Sequence, residues 1–336
     1  MKAAKYKGEG KIQVEDIAIP EINENEVLIK PVIGGICGSD LQAAALGIFY
    51  ENVTIGHEFS GIIEQVGNKV KGFKKGERVV VNPNRNMCGQ CYWCKKGEYN
   101  LCKDILKEAT GVCKDGGFAE YVKVRPIVIS KLPDNVTMEQ GAFVEPLATA
   151  LRSVRISNFL IGETAFVIGA GPIGLLTIEC LKKAGAKNIF VSEIYKERKR
   201  IAKKMGADEV IDPEETNVLN YLKSKKIIPS YVYECSGSDG AIDLAVNMVK
   251  ERGKIILVGI SAEKVAFNSI SAILKEVDIK ASYAYVEEFD MSIELLSKSF
   301  FNVESLITKI LPLDKINQGF EELKKPEKVI KILIRI

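Results

Sequence analysis

The chain has 336 residues, long for a single hydrophobic core, so two domains are expected. Hydrophobic residues make up 46% of it and charged residues 27%, an ordinary globular composition. Basic and acidic residues number 47 and 44, and the net charge of +3 is spread without a basic block, so nothing electrostatic points to nucleic acid or a membrane surface as a partner.

No run approaches the roughly 18 apolar residues of a membrane span. The opening MKAAKYKGEGKIQVEDIAIP has no apolar stretch behind its lysines and does not read as a signal peptide. A cytoplasmic location is the expectation, where thiols stay reduced and can bind metal.

Between Val14 and about Ile129, short apolar runs such as VLIKPVI, RVVVNP and FAEYVKV alternate with Gly, Pro and Asn, which predicts an irregular, strand-rich domain. Two groups of metal-ligand residues fall in or near it. NMCGQCYWCKKGEYNLCK places Cys88, Cys91, Cys94 and Cys102 in C-x2-C-x2-C-x7-C spacing. Four thiolates in a short loop close a tetrahedral shell around zinc and leave no position for substrate, which predicts a structural ion. The competing reading, unrelated cysteines or a disulfide pair, is disfavoured by the dense spacing and the reducing compartment.

The second group must be assembled from distant segments: Cys37 in GGICGSD, His57 and Glu58 in GHEF, and Glu145 in FVEPLA. One thiolate, one imidazole and two carboxylates exceed the three protein ligands typical of catalytic zinc, so either Glu58 or Glu145 is expected to stand behind the metal or exchange on it. His57 is the only histidine in the chain. A lone histidine is more often a satisfied structural residue than a ligand; here its neighbours reverse that expectation.

From Glu145 the texture changes. TAFVIGAG, NIFVSE, DEVID, SYVYECSG, KIILVGI and DIKASY read as buried strands separated by helical stretches, which predicts βαβ units and a doubly wound parallel sheet. FVIGAGPIGLL carries Gly169, Gly171 and Gly174 in G-x-G-x-x-G after an apolar strand, with Pro172 and Ile173 inside the loop where the helix opens. The glycines permit the tight turn and the approach of a dinucleotide pyrophosphate to the helix amino terminus.

Nineteen residues beyond Gly174 stands Glu193, whose carboxylate suits the adenosine ribose hydroxyls and repels a 2′-phosphate. NAD is therefore expected over NADP, although the charges of Lys196, Arg198 and Lys199 can neutralise a phosphate. Arg198 joins the glycines, Pro172, Ile173 and Glu193 as a candidate cofactor contact. The closing VIKILIRI is a strand placed back on the first domain, giving boundaries of 1–148 and 286–336 for that domain and 149–285 for the nucleotide domain.

Taken in order, GHEFSGIIEQVG, the four-cysteine loop, DGGFAEYV at 115–122, EPLA at 145–148 and GAGPIG resemble the medium-chain zinc-dependent alcohol dehydrogenases, and within them the sorbitol, threonine and 2,3-butanediol branch. The resemblance implies an α/β fold in which a GroES-like irregular β catalytic domain joins a Rossmann domain. It also implies two zinc ions per chain, NAD, and a homotetramer, with a dimer as the alternative. Cys37 and His57 correspond to ligands of the catalytic zinc, Glu58 to the adjacent carboxylate, and Glu145 to the glutamate that replaces a second cysteine in this branch. Ser39 matches the hydroxyl that takes the substrate proton. The implied reaction has zinc stabilising an alkoxide while hydride passes to the nicotinamide.

Two departures bear on chemistry and substrate. Where many relatives carry a histidine five residues after the cysteine ligand, this chain has Gln42, so the proton relay must end in water, in ribose hydroxyls or at Glu58. Where sorbitol enzymes carry an arginine that holds polyol hydroxyls, this chain has Ala284. With Leu46, Ile48, Phe49 and Tyr50 as candidate pocket residues, the expected substrate is a small secondary alcohol or vicinal diol. A polyol or L-threonine dehydrogenase is the alternative. A non-catalytic NAD-binding or zinc-dependent interaction protein would need neither an open metal position nor Ser39. Among the remaining thiols, Cys180 and Cys235 read as packing residues, and Cys113, in a glycine-rich loop, is the candidate for reactivity.

Overall fold

The computed structural model describes residues 1–46, 49–261 and 263–336, the side chains of 43–46 excepted. Among these the chain forms two units, Met1–Ala148 with Ala284–Lys325 and Lys331–Ile336, and Thr149–Tyr283 with Pro326–Ile330. Against the expected boundaries, Ala284 and Tyr285 belong to the first unit and residues 326–330 cluster with the second.

The first unit opens with strands β1 (Lys2–Tyr6), β2 (Ile12–Asp16), β3 (Val27–Gly35), β4 (Glu58–Val66), β5 (Arg78–Val81), β6 (Val122–Val124) and β7 (Ile129–Lys131). The second unit contributes β8 (Thr164–Ile168), β9 (Asn188–Ser192), β10 (Glu209–Ile211), β11 (Tyr231–Glu234), β12 (Lys254–Leu257) and β13 (Asp278–Ala281). The chain returns to the first unit for β14 (Ile307–Pro312) and β15 (Lys331–Arg335).

In the first unit β1 and β2 form a hairpin, and a larger sheet runs β14-β15-β3-β4-β5-β7 with β6 also paired to β3. Its core is aliphatic: Val27 and Ile29 of β3 meet Phe59 and Ile63 of β4, with Val79, Val81, Val122 and Val124 around them. The β3–β4 register slips between Pro31 and Ile33, as expected where proline has no N–H to give the ladder. Opposite Pro31 lies Gly61 of GHEFSGIIEQVG. A Cβ there would stand 2.5 Å from the Lys30 carbonyl oxygen and 3.0 Å from Pro31 Cα, so the two strands approach closely only because position 61 has no side chain.

The second unit is a wholly parallel sheet ordered β10-β9-β8-β11-β12-β13. Its order reverses between β8 and β11, the switch point at which doubly wound sheets bind nucleotides. Phe166, Ile168, Val232 and Ile255 fill its interior with helix residues such as Ala245 and Val246. One expectation needs correction: β13 is not buried, since Asp278, Lys280 and Ala281 are exposed and Ile279 is half-buried. It is the last strand of the sheet, with one side unpaired, and its polar residues suit that edge.

Gly61→Ala is expected to destabilise the protein by about 2–4 kcal/mol, read as a lower urea midpoint with an unchanged slope. An unchanged midpoint would mean that β3 and β4 can separate without penalty.

Candidate metal centres and dinucleotide site

The four-cysteine loop is short and tightly turned, with Cys91 standing just before a single helical turn, Tyr92–Lys95. All eight cysteines are free of disulfides. Cys88, Cys91, Cys94 and Cys102 bring their sulfurs within 4.8 Å of one another. Sulfurs at about 2.3 Å from a tetrahedral zinc stand roughly 3.8 Å apart; Cys91 and Cys94 are separated by 3.5 Å and Cys88 and Cys94 by 3.9 Å. Backbone amides are aimed at the sulfurs, Cys91 N–H at Cys88 Sγ and Cys88 N–H at Cys102 Sγ, each at 3.4 Å. The Cys94 amide is the main cause that brings the Cys91 thiol down to about 6. Burial and the neighbouring thiols push the Cys94 thiol up to about 12, so the lowering is not shared by the whole loop; four sulfurs at this spacing are the donor set that fits zinc.

The second centre is built by the ends of β3 and β4. Cys37 follows β3 by two residues, His57 precedes β4, and Glu58 begins it. Their ligand atoms lie within 4.8 Å of one another. A thiolate, an imidazole and a carboxylate make a donor set suited to zinc with one position open. Glu145 is not in this close group. It opens the helix Val144–Ile156, is half-buried, and engages the fully buried Tyr285. Burial pushes the Glu145 carboxyl up to about 7, opposed by His57 and reinforced by Glu58.

Ser39 donates its hydroxyl to Cys37 Sγ at 3.1 Å, and its backbone N–H points at the same sulfur at 3.4 Å.

Two residues of this centre escaped the reading of motifs. Asp40, fully buried, accepts the Cys37 backbone N–H through Oδ2 at 3.0 Å and stands 3.1 Å from His57 Nδ1 through Oδ1. Burial alone would lower the His57 pKa, but Asp40 outweighs it and leaves the imidazole raised. With Nδ1 turned toward Asp40 at ion-pair distance, Nε2 is the nitrogen left to face a metal. The available signal was an acid three residues after Cys37, in the first turn of the helix Gly38–Leu46. The other is Lys331, buried and ion-paired with Glu58. Burial pushes it down, but Glu58 and then Cys37 leave it raised. Strand periodicity puts Lys331 on one face of β15 with Leu333, and a lysine in so apolar a run was its signal.

Among the candidate pocket residues, Phe49 is buried and packs edge-on to Tyr6 at 5.4 Å. Tyr50 is exposed, and the side chains of Leu46 and Ile48 lie outside the described residues. Ala284 holds a left-handed backbone, φ +49°, next to Tyr285. Burial pushes the Cys113 thiol up, which argues against a reactive thiolate. Cys180 is buried, whereas Cys235 is half-buried.

In the second unit the glycine loop leaves β8 at the switch point. Gly169 has φ +85°, and a Cβ on Gly174 would lie 2.0 Å from the Gly169 carbonyl oxygen, so the turn admits no side chain there. Gly171 caps the helix Pro172–Lys183, whose first turn contains Pro172 and Ile173. A helix amino terminus behind a bare glycine turn is a cradle for a phosphate group.

Glu193 is 6% exposed and already occupied. It accepts Ala170 N–H at 2.8 Å through Oε2, and Ile194 and Tyr195 N–H at 2.8 and 2.9 Å through Oε1. It therefore ties the glycine loop to the end of β9, with one lone pair, on Oε2, left over for a ribose hydroxyl. Arg198 stacks on Tyr195 at 5.2 Å and points Nη1 toward the site a Gly171 Cβ would take, 3.9 Å away. Lys199 is paired with Asp212 at 2.5 Å, which reduces its availability to a phosphate.

Asp40→Asn is expected to weaken zinc binding outside the four-cysteine loop about 10–100-fold, measured by chelator competition. Unchanged affinity would mean that Asp40 does not orient His57.

Comparison with known proteins follows the same outline. A model of the alcohol dehydrogenase GroES-like domain matches residues 23–134, and one of the zinc-binding dehydrogenase domain matches 172–298. Sorbitol dehydrogenase from Homo sapiens is 34% identical over 330 residues, covering 95% of this chain and 91% of that protein. The X-ray structure of 2R,3R-butanediol dehydrogenase from Bacillus subtilis is 34% identical with a TM-score of 0.90, covering 100% of this chain and 99% of that one. A zinc-binding dehydrogenase from Sinorhizobium meliloti, solved with NADP, is 28% identical with a TM-score of 0.92 over 100% of this chain and 99% of its own. With two family domains in order, near-complete coverage and a zinc-type donor set at Cys37, His57 and Glu58, the chain belongs to the medium-chain zinc-dependent alcohol dehydrogenase family.

Proposed function

We propose that this oxidoreductase transfers hydride between NAD(H) and a small secondary alcohol or vicinal diol, with a ketone as product. The observation that carries the reading is the close set Cys37, His57 and Glu58, with Ser39 on the Cys37 sulfur and Asp40 behind His57. Zinc held by these residues supplies Lewis acidity, lowering the pKa of the alcohol oxygen. Cys88, Cys91, Cys94 and Cys102 hold the second zinc, a structural one.

Chain residues do the rest. Asp40 fixes the imidazole so that one ring nitrogen faces the metal. At rest Ser39 gives its hydrogen to Cys37; to take the substrate proton on a free lone pair it turns that hydrogen outward and releases it to the next acceptor of the relay. At Gln42 the relay meets an amide with no titrating proton, so the proton leaves by water, by ribose hydroxyls or with help from Glu58. Glu145, beyond the close set, is the carboxylate that stands behind the metal or approaches it in exchange with Glu58.

Gly169, Gly171, Pro172, Ile173 and Gly174 take the pyrophosphate, and Glu193 the ribose. The occupied, buried carboxylate of Glu193 supports NAD, since a 2′-phosphate would meet it directly; Arg198 is the cation that softens this preference.

Ala284 supports the small substrate, because it offers no hydrogen bond to a hydroxyl chain. Similarity to sorbitol dehydrogenases supports the alternative, a polyol substrate; an L-threonine dehydrogenase would need groups that bind the amino acid charges. We also infer a cytoplasmic homo-oligomer, a tetramer over a dimer. No described helix is long and apolar enough to cross a membrane. Near the unpaired edge β13, the helix Ser269–Leu274 exposes Ile270, Ile273 and Leu274, which suits burial against an identical chain.

The test combines elemental analysis with a substrate panel. Two zincs per chain are expected, and NAD-linked rates with 2,3-butanediol above those with sorbitol or threonine. Faster sorbitol turnover would replace the diol reading by the polyol one. Ala284→Arg is expected to move the ratio of kcat/KM for sorbitol over butanediol up by about tenfold; no movement would remove position 284 from substrate selection.

A further inference from the structure

The strand pairings that bring Glu58 to Cys37 and His57 also place a cation behind it. β15 pairs with β3 through Leu333 and Gly35, and β3 with β4 through Gly35 and Glu58. Lys331 lies two residues before Leu333, on the same face of β15, and its Nζ forms an ion pair with Glu58 Oε2. Lys331 is 2% exposed and Glu58 1%. Both Glu58 oxygens are buried and without a geometrically formed hydrogen bond, and Oε1, unlike Oε2, has no ion-pair partner either. A buried ion pair offsets its desolvation only when the remaining lone pairs find partners, so the bare Oε1 calls for one.

Room for the pair comes from Gly35. A Cβ there would stand 2.2 Å from Glu58 Oε2 and 2.9 Å from Lys331 Cε. Three strands thus converge to seat one buried lysine against one oxygen of a metal-ligand carboxylate.

We propose that Lys331 is a positioning residue of the metal centre: it holds one oxygen of Glu58, so that the carboxylate offers the metal only the other, and a position stays open for substrate. Its charge acts as well. The Cys37 thiolate and the Glu58 carboxylate together cancel a divalent ion, and Lys331 restores one positive charge beside the reacting oxygen. The inference rests on the reading of Cys37, His57 and Glu58 as zinc ligands.

The test uses the zinc-loaded enzyme, Lys331→Met and Lys331→Arg. Metal per chain is counted, and the release of the zinc outside the four-cysteine loop to a colorimetric chelator is timed. Visible spectra of the Co(II)-substituted proteins are then compared. In Lys331→Met both Glu58 oxygens are free for the metal and a neighbouring cation is gone. Release is expected to slow by at least about tenfold, and the cobalt bands to weaken toward a five-coordinate pattern. Lys331→Arg keeps the charge and is expected to return both readouts toward the parent enzyme.

Release within twofold of the parent and an unaltered cobalt spectrum in Lys331→Met, whatever its melting temperature, would overturn the proposal. So would failure of Lys331→Arg to restore what Lys331→Met changed. Should Lys331→Met not fold, Lys331→Gln carries the same readouts and the same criterion. A parent enzyme with only the four-cysteine zinc would instead overturn the assignment of Cys37, His57 and Glu58 as ligands.

Discussion

The antiparallel pairing of β3 with β4 is the constraint on which the first unit depends. It sets Gly35 opposite Glu58 and Pro31 opposite Gly61, and it brings the chain after β3, with Cys37, next to the chain before β4, with His57. A slip of one residue would turn Glu58 to the other face of the sheet. The glycines of this region are therefore packing requirements first: Gly61 lets two backbones approach, and Gly35 leaves space for a buried ion pair.

Charge is the second organising quantity. Cys37, Asp40, Glu58 and Glu145 crowd acidic groups around one imidazole and one lysine, and most of them are screened from water. Each anion has a distinct partner: Asp40 takes His57, Glu58 takes Lys331, Glu145 engages Tyr285, and the Cys37 sulfur receives Ser39. Such a cluster is stable when every charge is compensated. Ser39 and Tyr285 are neutral partners, so under the proposed reading a divalent cation would supply the charge they do not.

The second unit uses the same economy at a smaller scale. Glu193, the residue proposed to meet a ribose, binds three backbone amides and holds the glycine loop against the end of β9. Loss of its charge would loosen the loop before any ligand is considered, so recognition and loop geometry cannot be separated at this position.

Much of this was legible in the sequence because the relevant signals are local. The spacing of Cys88, Cys91, Cys94 and Cys102, the G-x-G-x-x-G turn after an apolar strand, and the alternation of strands and helices beyond Glu145 each follow from a few consecutive residues. Burial of β13 was misjudged because a strand's position in a sheet is not written in its own residues, and of the two readings open for Phe49, pocket wall or packed core, the structure shows a buried ring against Tyr6. By itself the sequence determined the candidate ligand residues, the glycine turn and the fold class, since those depend on short-range chemistry. Only the tertiary structure decided that Asp40 stands behind His57 and that Lys331 meets Glu58 from 273 residues away. It also separated Glu145 from the close ligand set, because strand register and packing, not spacing along the chain, set distances between remote side chains.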